Sequence, residues 1–278
     1  MKSLSLSNDL VTTFSIFDDL IALLKLKTNT IGRPSTLTFS EIAVISLLKV
    51  RFDIKTWKGL YKLLTDRYSS DFNLPCYKNF VETMNRDSFV LVMFIEILLQ
   101  MNNTKSGKIK LVDSTPLPVC KNIRIPCHKT MKSIASRSKG TMGWYYGLKL
   151  HVVCDIKGNL IALKFTTANV GDRKVLDKFL EELSNSVIIA DAGYVSKKLE
   201  KKATKRGNIL KTCSRKNMKR IATYIDIQQL NLRLNVETLF SVLKERLNMV
   251  TSLPRSVGGY LAHYIHVIFG YTFNKLIS

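Results

Sequence analysis

Three carboxylates in this sequence sit where acids can do chemistry as well as solvate a surface. Asp113 follows the apolar run of KIKLVDSTPLPV, and Asp191 follows that of VIIADAGYVSKK, so each reads as a carboxylate displayed at the end of a buried strand. Asp-Ala-Gly after VIIA is also ordinary turn chemistry, and Asp191 taken alone does not separate the two readings. Glu237 lies in NLRLNVETLFSVLKERLNMV. At about 100° per residue, Leu232, Val236, Leu239, Leu243 and Val250 form one apolar helical stripe, and Arg233, Glu237 and Lys244 fall within roughly 40° of each other beside it. Carboxylates are the hard oxygen ligands that Mg²⁺ takes, a few at a time, with water and substrate phosphate completing the shell. Two such ions about 3.5–4 Å apart can make one oxygen nucleophilic and stabilise another as it leaves, which is what hydrolysing or exchanging a phosphodiester requires.

The elements that must position these acids change character near residue 105. Before it the chain reads as helical. Leu10, Phe14, Phe17, Ile21 and Leu24 recur at spacings of four and three. After the connector Gly32-Arg-Pro34, Thr38-Phe-Ser-Glu41 forms a capping box that opens a helix through IAVISLLKV. Lys55 to Tyr68 mixes basic and aromatic residues, as a solvated helix with an aromatic core edge does and as a DNA-binding helix also does. Asp87 is placed to cap the apolar helix that follows. From Lys108 strands are expected: KIKLV ending at Asp113, with Pro116 and Pro118 excluding a helix, then a hairpin over Gly147 to Ala168 turning at Asp155 to Asn159. Asp172 is placed to cap a helix through Leu183, VIIA is a fourth strand, Ser196 to Arg206 a basic helix and Ile209 to Thr212 a candidate fifth strand. This is the element order of an RNase H-like α/β fold of the retroviral integrase type. The expected organisation is therefore a helical, DNA-binding region over residues 1–104 and an RNase H-like catalytic domain with C-terminal helices over residues 105–278.

Charge points to the partner. The 278 residues hold 43 Lys and Arg against 21 Asp and Glu, a formal net charge of +22. Such an excess calls for a polyanion, nucleic acid first and an anionic membrane surface second. No acid lies between Asp113 and Asp155, whereas Lys121, Arg124, Lys129, Lys132, Arg137, Lys139 and Lys149 do, and from Ser196 to Arg220 eleven Lys and Arg, Lys197 and Lys198 among them, accompany Glu200 alone. The apolar run from Phe89 to Leu99 is interrupted by Glu96 and is shorter than the roughly 20 residues of a spanning helix, so no membrane partner is expected. The start MKSLSLSNDL lacks the features of a secretory signal, which gives a cytoplasmic expectation. The five cysteines have no C-x-x-C spacing, so a disulfide framework is not expected, nor a zinc site at Cys120, Cys127 and His128. His128, His151, His263 and His266 read as structural or phosphate-contacting rather than catalytic.

The stretches VDSTPLPVCKN, HKTMKSIASRSKGTMGWYYGLKLH, TTANVGDRK, ADAGYVSKKL and the helix bearing VETLFSVLKE resemble bacterial insertion-sequence transposases of the DDE class, most closely the insertion sequence 982 family, over about Gly32 to Lys244. The resemblance implies that Asp113, Asp191 and Glu237 are the DDE triad holding two Mg²⁺ ions, with Mn²⁺ able to substitute. Related transposases carry a Tyr-x2-Arg-x3-Glu-x6-Lys signature, which Arg233, Glu237 and Lys244 match; Leu230 stands at the tyrosine position. Where the family has Asp-Lys-Gly-Tyr, this chain has Asp191-Ala-Gly-Tyr194. The implied activity is recognition of terminal inverted repeats in double-stranded DNA, nicking to a 3′-OH and joining of that end to target DNA by a homodimer in a synaptic complex. A bacterial, nucleoid-associated location goes with it. Arg233 and Lys244 would grip phosphates beside the cut, and Lys129, Lys132, Arg137, Lys149, Lys197 and Lys198 would hold the DNA. Two other readings remain open: a nuclease or resolvase of the same fold that cuts without joining, and a non-catalytic DNA-binding relic.

Overall fold

The apolar runs after Lys108 do become strands, and they assemble one mixed sheet. The computed structural model describes residues 8–26, 35–140, 143–212 and 231–277; Gly32, Arg33, Pro34, Arg220 and Leu230, named above, lie outside the described residues. The strands are β1 (Ile109–Cys120), β2 (Ser136–Gly140), β3 (Gly143–Cys154), β4 (Leu160–Thr167), β5 (Val187–Ala190) and β6 (Ile209–Thr212). β1 is central, antiparallel to β3 and parallel to β5, and β6 lies parallel beyond β5. The far edge of β3 pairs antiparallel with β2 over its first half and with β4 over its second.

Two strands differ from expectation. β1 does not end at Asp113 but continues to Cys120 beside β3, through Pro116 and Pro118. The four residues of β5 reach only to Val112, and among the described residues no strand pairs with that edge of β1 beyond it. The prolines alternate, which puts their missing N–H groups on one shared edge, and the ladder to β3 runs on past both. The edge without donors is therefore the one that β5 has left, the place where a strand tolerates proline. β2, SRSKG, was not expected, because it has no apolar alternation to reveal it; it is a half-exposed edge strand carrying Arg137 and Lys139. Gly147, opposite Pro118, is required by close approach: a Cβ there would run into the Leu117 carbonyl oxygen.

The helices α6 (Asp172–Glu182) and α7 (Lys197–Lys205) cover one face of this sheet. Val175, Leu176, Phe179 and Leu180 of α6 and Leu199 and Ala203 of α7 pack with Val112, Val153, Ile188 and Ala190. Asp172 is the first residue of α6 and not its cap, which is Gly171. Helix α8 (Leu234–Ser241) buries Val236 and Leu239, as the apolar stripe requires, and runs into a π-helical turn, Val242–Arg246, that buries Leu243. Lys244 lies in that wider turn, where α-helical angular arithmetic no longer applies.

By Cα packing the chain divides into Met1–Ile97 with Arg246–Met249 and Pro254–Ser278, and Leu98–Glu245 with Val250–Leu253. The first unit holds α1 (Asn8–Leu23), α2 (Phe39–Arg51), α3 (Trp57–Arg67), α4 (Tyr77–Arg86), the start of α5 (Phe89–Lys105) and the closing helix α9 (Val257–Ile277). α9 packs on α2 and α4, and so belongs with the helical unit and not with the sheet, as a break at residue 104 had supposed. The Thr38 capping box is formed in both directions. Phe17 stacks among Phe94, Phe269 and Phe273, and Trp57 meets Phe80 and His266, so the aromatic side of α3 is a core edge. The Asp87 carboxylate pairs with Arg86 instead of capping α5. Among the described residues no helix is long and apolar enough to cross a membrane.

Candidate active site

Asp113 and Asp191 lie one residue beyond Val112 and Ala190, the last paired step of the parallel ladder between β1 and β5. Successive residues of a strand face opposite sides, and Val112 and Ala190 point into the core beneath α6 and α7. The two aspartates therefore emerge side by side on the other face. Arg233, immediately before α8, spans them: its guanidinium nitrogens lie 3.6 Å from Asp113 Oδ2 and 3.2 Å from Asp191 Oδ1. The Asp191 turn is real as well, since Asp191 Oδ1 accepts the Ala192 N–H at 2.7 Å and caps the 3₁₀ turn Ala192–Tyr194. Turn chemistry and carboxylate display are here the same feature.

Burial pushes the Asp113 carboxyl up to about 6, against the opposing pull of the Ser114 N–H and Arg233, and the nearby Asp191 and Asp172 add to the rise. Ser114 N–H donates to Asp113 Oδ1 at 2.8 Å, and Ser114 Oγ, on the opposite face of β1, donates to Asp172 Oδ1 at 2.9 Å. Lys149 Nζ binds the same Asp172 oxygen at 3.0 Å and the Val170 carbonyl at 3.1 Å. His151 Nδ1 stands 3.7 Å from it, with Nε2 on Thr166 Oγ1 at 2.9 Å. Burial lowers His151 to about 4, so it is neutral, and its position inside the sheet makes it structural. The phenol of Tyr194, three residues past Asp191, is buried beside these acids, and its pKa is raised first by that burial.

Glu237 is exposed on α8, and among the described residues no group of three or more acid, His or Cys side chains is gathered as a metal cage. Lys129, Lys132, Arg137, Lys197 and Lys198 are exposed. Arg137 lies over the Trp144 ring at 4.9 Å. Lys244 is half-buried, and that burial lowers its pKa. Lys149 faces inward, on Asp172. His266, between Ser46 and the Met84 carbonyl, and His263, on the Asn248 carbonyl, are buried in the helical unit.

A family model described as a transposase DDE domain matches residues 103–257, which contain both aspartates, Arg233 and Glu237. The chain belongs to this family. Among solved structures, a piggyBac transposase synaptic complex with hairpin DNA aligns over 98% of this chain and 73% of that one, with a TM-score of 0.50 at 12% identity. A Mos1 transposase paired-end complex with left transposon end aligns at TM-score 0.25 and 10% identity, over 84% of this chain and 86% of that one. A pre-cleavage Mos1 transpososome aligns at 0.24 and 11%, over 94% and 87%. At these identities the piggyBac match is a likeness of fold. No curated protein sequence matches. In this DDE transposase the sequence reading did not single out the residues behind the aspartates: Ser114, Tyr194, Asp172 as the partner of Ser114 and Lys149, and Arg173, whose Nε donates to the Gly193 carbonyl at 3.0 Å. Ser114 could have been flagged, since the residue after a strand acid faces the other side of the sheet; the partners it finds there depend on long-range pairing.

Proposed function

We propose that this transposase is an insertion-sequence enzyme of the insertion sequence 982 family. Its sheet unit, RNase H-like in strand order, cleaves DNA at terminal inverted repeats and joins the exposed 3′-OH to target DNA. The observation that carries the reading is the emergence of Asp113 and Asp191 from adjacent strands at the step after Val112 and Ala190, on the face opposite the core. The sheet order, three antiparallel strands β4, β3 and β1 continued by parallel β5 and β6, supports the fold assignment.

Asp113 and Asp191, joined by Glu237 from the exposed side of α8, would hold Mg²⁺, two ions in the full site, with Mn²⁺ as a substitute. The donor set fits. It is made of hard carboxylate oxygens, and a positive charge, the Arg233 guanidinium, already lies against both aspartates. Bound there, the ions would supply activation of the attacking oxygen and stabilisation of the leaving one. The chain's own residues do the rest. Exposed Lys129, Lys132, Arg137, Lys197 and Lys198 hold phosphates, a term that fixes affinity and not sequence. Arg233 and Lys244 grip phosphates flanking the cut. The helical unit reads the transposon end, and two copies act together, a reading in keeping with the fold-related piggyBac enzyme's synaptic complex with DNA.

Incubation with terminal-repeat DNA, a target plasmid and Mg²⁺ tests the whole reading. Wild type should yield joined products, while Asp113→Asn, Asp191→Asn and Glu237→Gln should each lose cleavage and keep DNA binding. Cut but unjoined DNA would mark a nuclease or resolvase, and neither product would mark a relic. A variant that keeps more than about a tenth of the cleavage rate, a barrier change of no more than about 1.4 kcal/mol, removes its residue from the triad.

A further inference from the structure

The ladder that holds β1 and β5 in register stops at Val112 and Ala190, one residue short of the two aspartates. Whatever fixes the spacing of their carboxylates must therefore lie outside the ladder. The first two residues of α6 are placed to do it. Asp172 accepts from Ser114 Oγ at 2.9 Å, and Ser114 is the residue whose N–H holds Asp113 Oδ1 at 2.8 Å. Arg173 Nε donates to the Gly193 carbonyl at 3.0 Å, in the turn that Asp191 caps. One helical turn thus reaches the side chain of the residue after Asp113 and the backbone of the turn after Asp191.

That turn is itself fixed. Lys149 ties Asp172 to the Val170 carbonyl, His151 stands behind it, and Val175, Leu176, Phe179 and Leu180 anchor α6 in the core. We infer that Asp172 and Arg173 are positioning residues, which set the distance between the Asp113 and Asp191 carboxylates from the opposite face of the sheet through Ser114 and Gly193. The inference rests on the reading of those aspartates as metal ligands. It assigns Asp172 no contact with metal or DNA; its effect passes through β1.

Calorimetric titration of the full chain with Mn²⁺, without DNA, tests this, with a thermal melt of each variant. Ser114→Ala, Asp172→Ala and Arg173→Ala should each weaken Mn²⁺ binding by about tenfold, the scale on which groups orienting metal ligands act. Arg173→Lys, which keeps a donor for the Gly193 carbonyl, should recover most of the affinity. Arg173 is exposed, so its loss should leave the melt near wild type, and a weakened site then cannot be ascribed to unfolding. Affinity within about twofold of wild type in both Ser114→Ala and Arg173→Ala would overturn the inference alone. A wild type whose Mn²⁺ binding is unaffected by Asp113→Asn and Asp191→Asn would bring down the metal reading, and this inference with it.

Discussion

Asp113→Asn should make the metal-free transposase more stable at neutral and higher pH while removing its cleavage activity. The Asp113 side chain is 18% exposed, and its carboxyl is raised from 3.8 to about 6, chiefly by burial. A carboxyl whose folded pKa exceeds its unfolded one binds its proton more readily in the native chain. Native stability therefore falls as pH climbs from about 4 through about 6, and the cost is complete above that window. Two units at about 1.4 kcal/mol each put the full cost on the order of 3 kcal/mol. Asparagine is neutral at every pH and can still accept the Ser114 N–H, so it lacks this cost. In urea unfolding followed by circular dichroism with a chelator present, the variant should gain about 1–3 kcal/mol at about pH 8 and match wild type only below the unfolded value of 3.8. Added Mn²⁺ should then raise the wild-type midpoint and leave that of the variant in place, because only the wild type has the ligand. A variant less stable than wild type at the higher pH would refute the reasoning, since it would mean that Arg233 outweighs burial and that the ionised carboxylate is favourable where it sits.

Arg233→Ala removes the cation that lies against both aspartates: the metal-free melt should fall, Mn²⁺ should bind up to about tenfold tighter because no guanidinium has to leave, and unchanged affinity would show that the two cations do not share these oxygens. In the helical unit, a methyl at Gly270 would overlap the Val50 side chain, so Gly270→Ala should lower stability by about 1–3 kcal/mol in the same urea assay, and a neutral result would contradict the α2–α9 packing. His263 and His266 are held by burial at about 4 and about 3 against an ordinary 6.5, so they stay neutral when folded. Stability contributed by keeping them neutral is full above 6.5 and is lost as pH falls toward 4, and hydrogen exchange of α9 should show protection dropping over that range; flat protection would refute it.

Much of this arrangement was legible in the sequence because it is periodic. The stripe Val236, Leu239 and Leu243, the α6 face and the VIIA run are each set by local alternation or helical spacing, and each was found where its pattern put it. The two aspartates were legible for a related reason: a polar residue directly after an apolar run marks the place where a strand leaves its cover. What was not legible depends on pairing between distant segments. SRSKG is a strand only because β3 offers it an edge, and no local pattern announces that. Asp172 has the sequence look of a helix cap, and its engagement with Ser114 and Lys149 follows only once β1, β3 and α6 are assembled. Arg233 was placed on a helical stripe with Glu237, yet it sits at the entry to α8 and turns to the two aspartates, whose charge is opposite to its own. The closing helix α9 carried no sign of which unit it would join, because an apolar face fits any complementary one.

The prolines that follow Asp113 tie these threads to function. A central strand that outlasts its neighbour exposes a row of backbone donors and acceptors, which invites another strand to add itself. In β1 that row would start directly beside Asp113, and a strand docked there would close off the carboxylates from any phosphate. Pro116 and Pro118 have no N–H to offer on that edge, so a ladder cannot be continued along it, while the edge facing β3 keeps its donors and the strand stays rigid. The same residues that disqualify VDSTPLPV as a helix thus leave that edge of β1 without donors at Pro116 and Pro118, just beyond Asp113, the acid proposed above as a metal ligand. Two alternating prolines deny that edge its donors without shortening β1, which runs on to Cys120.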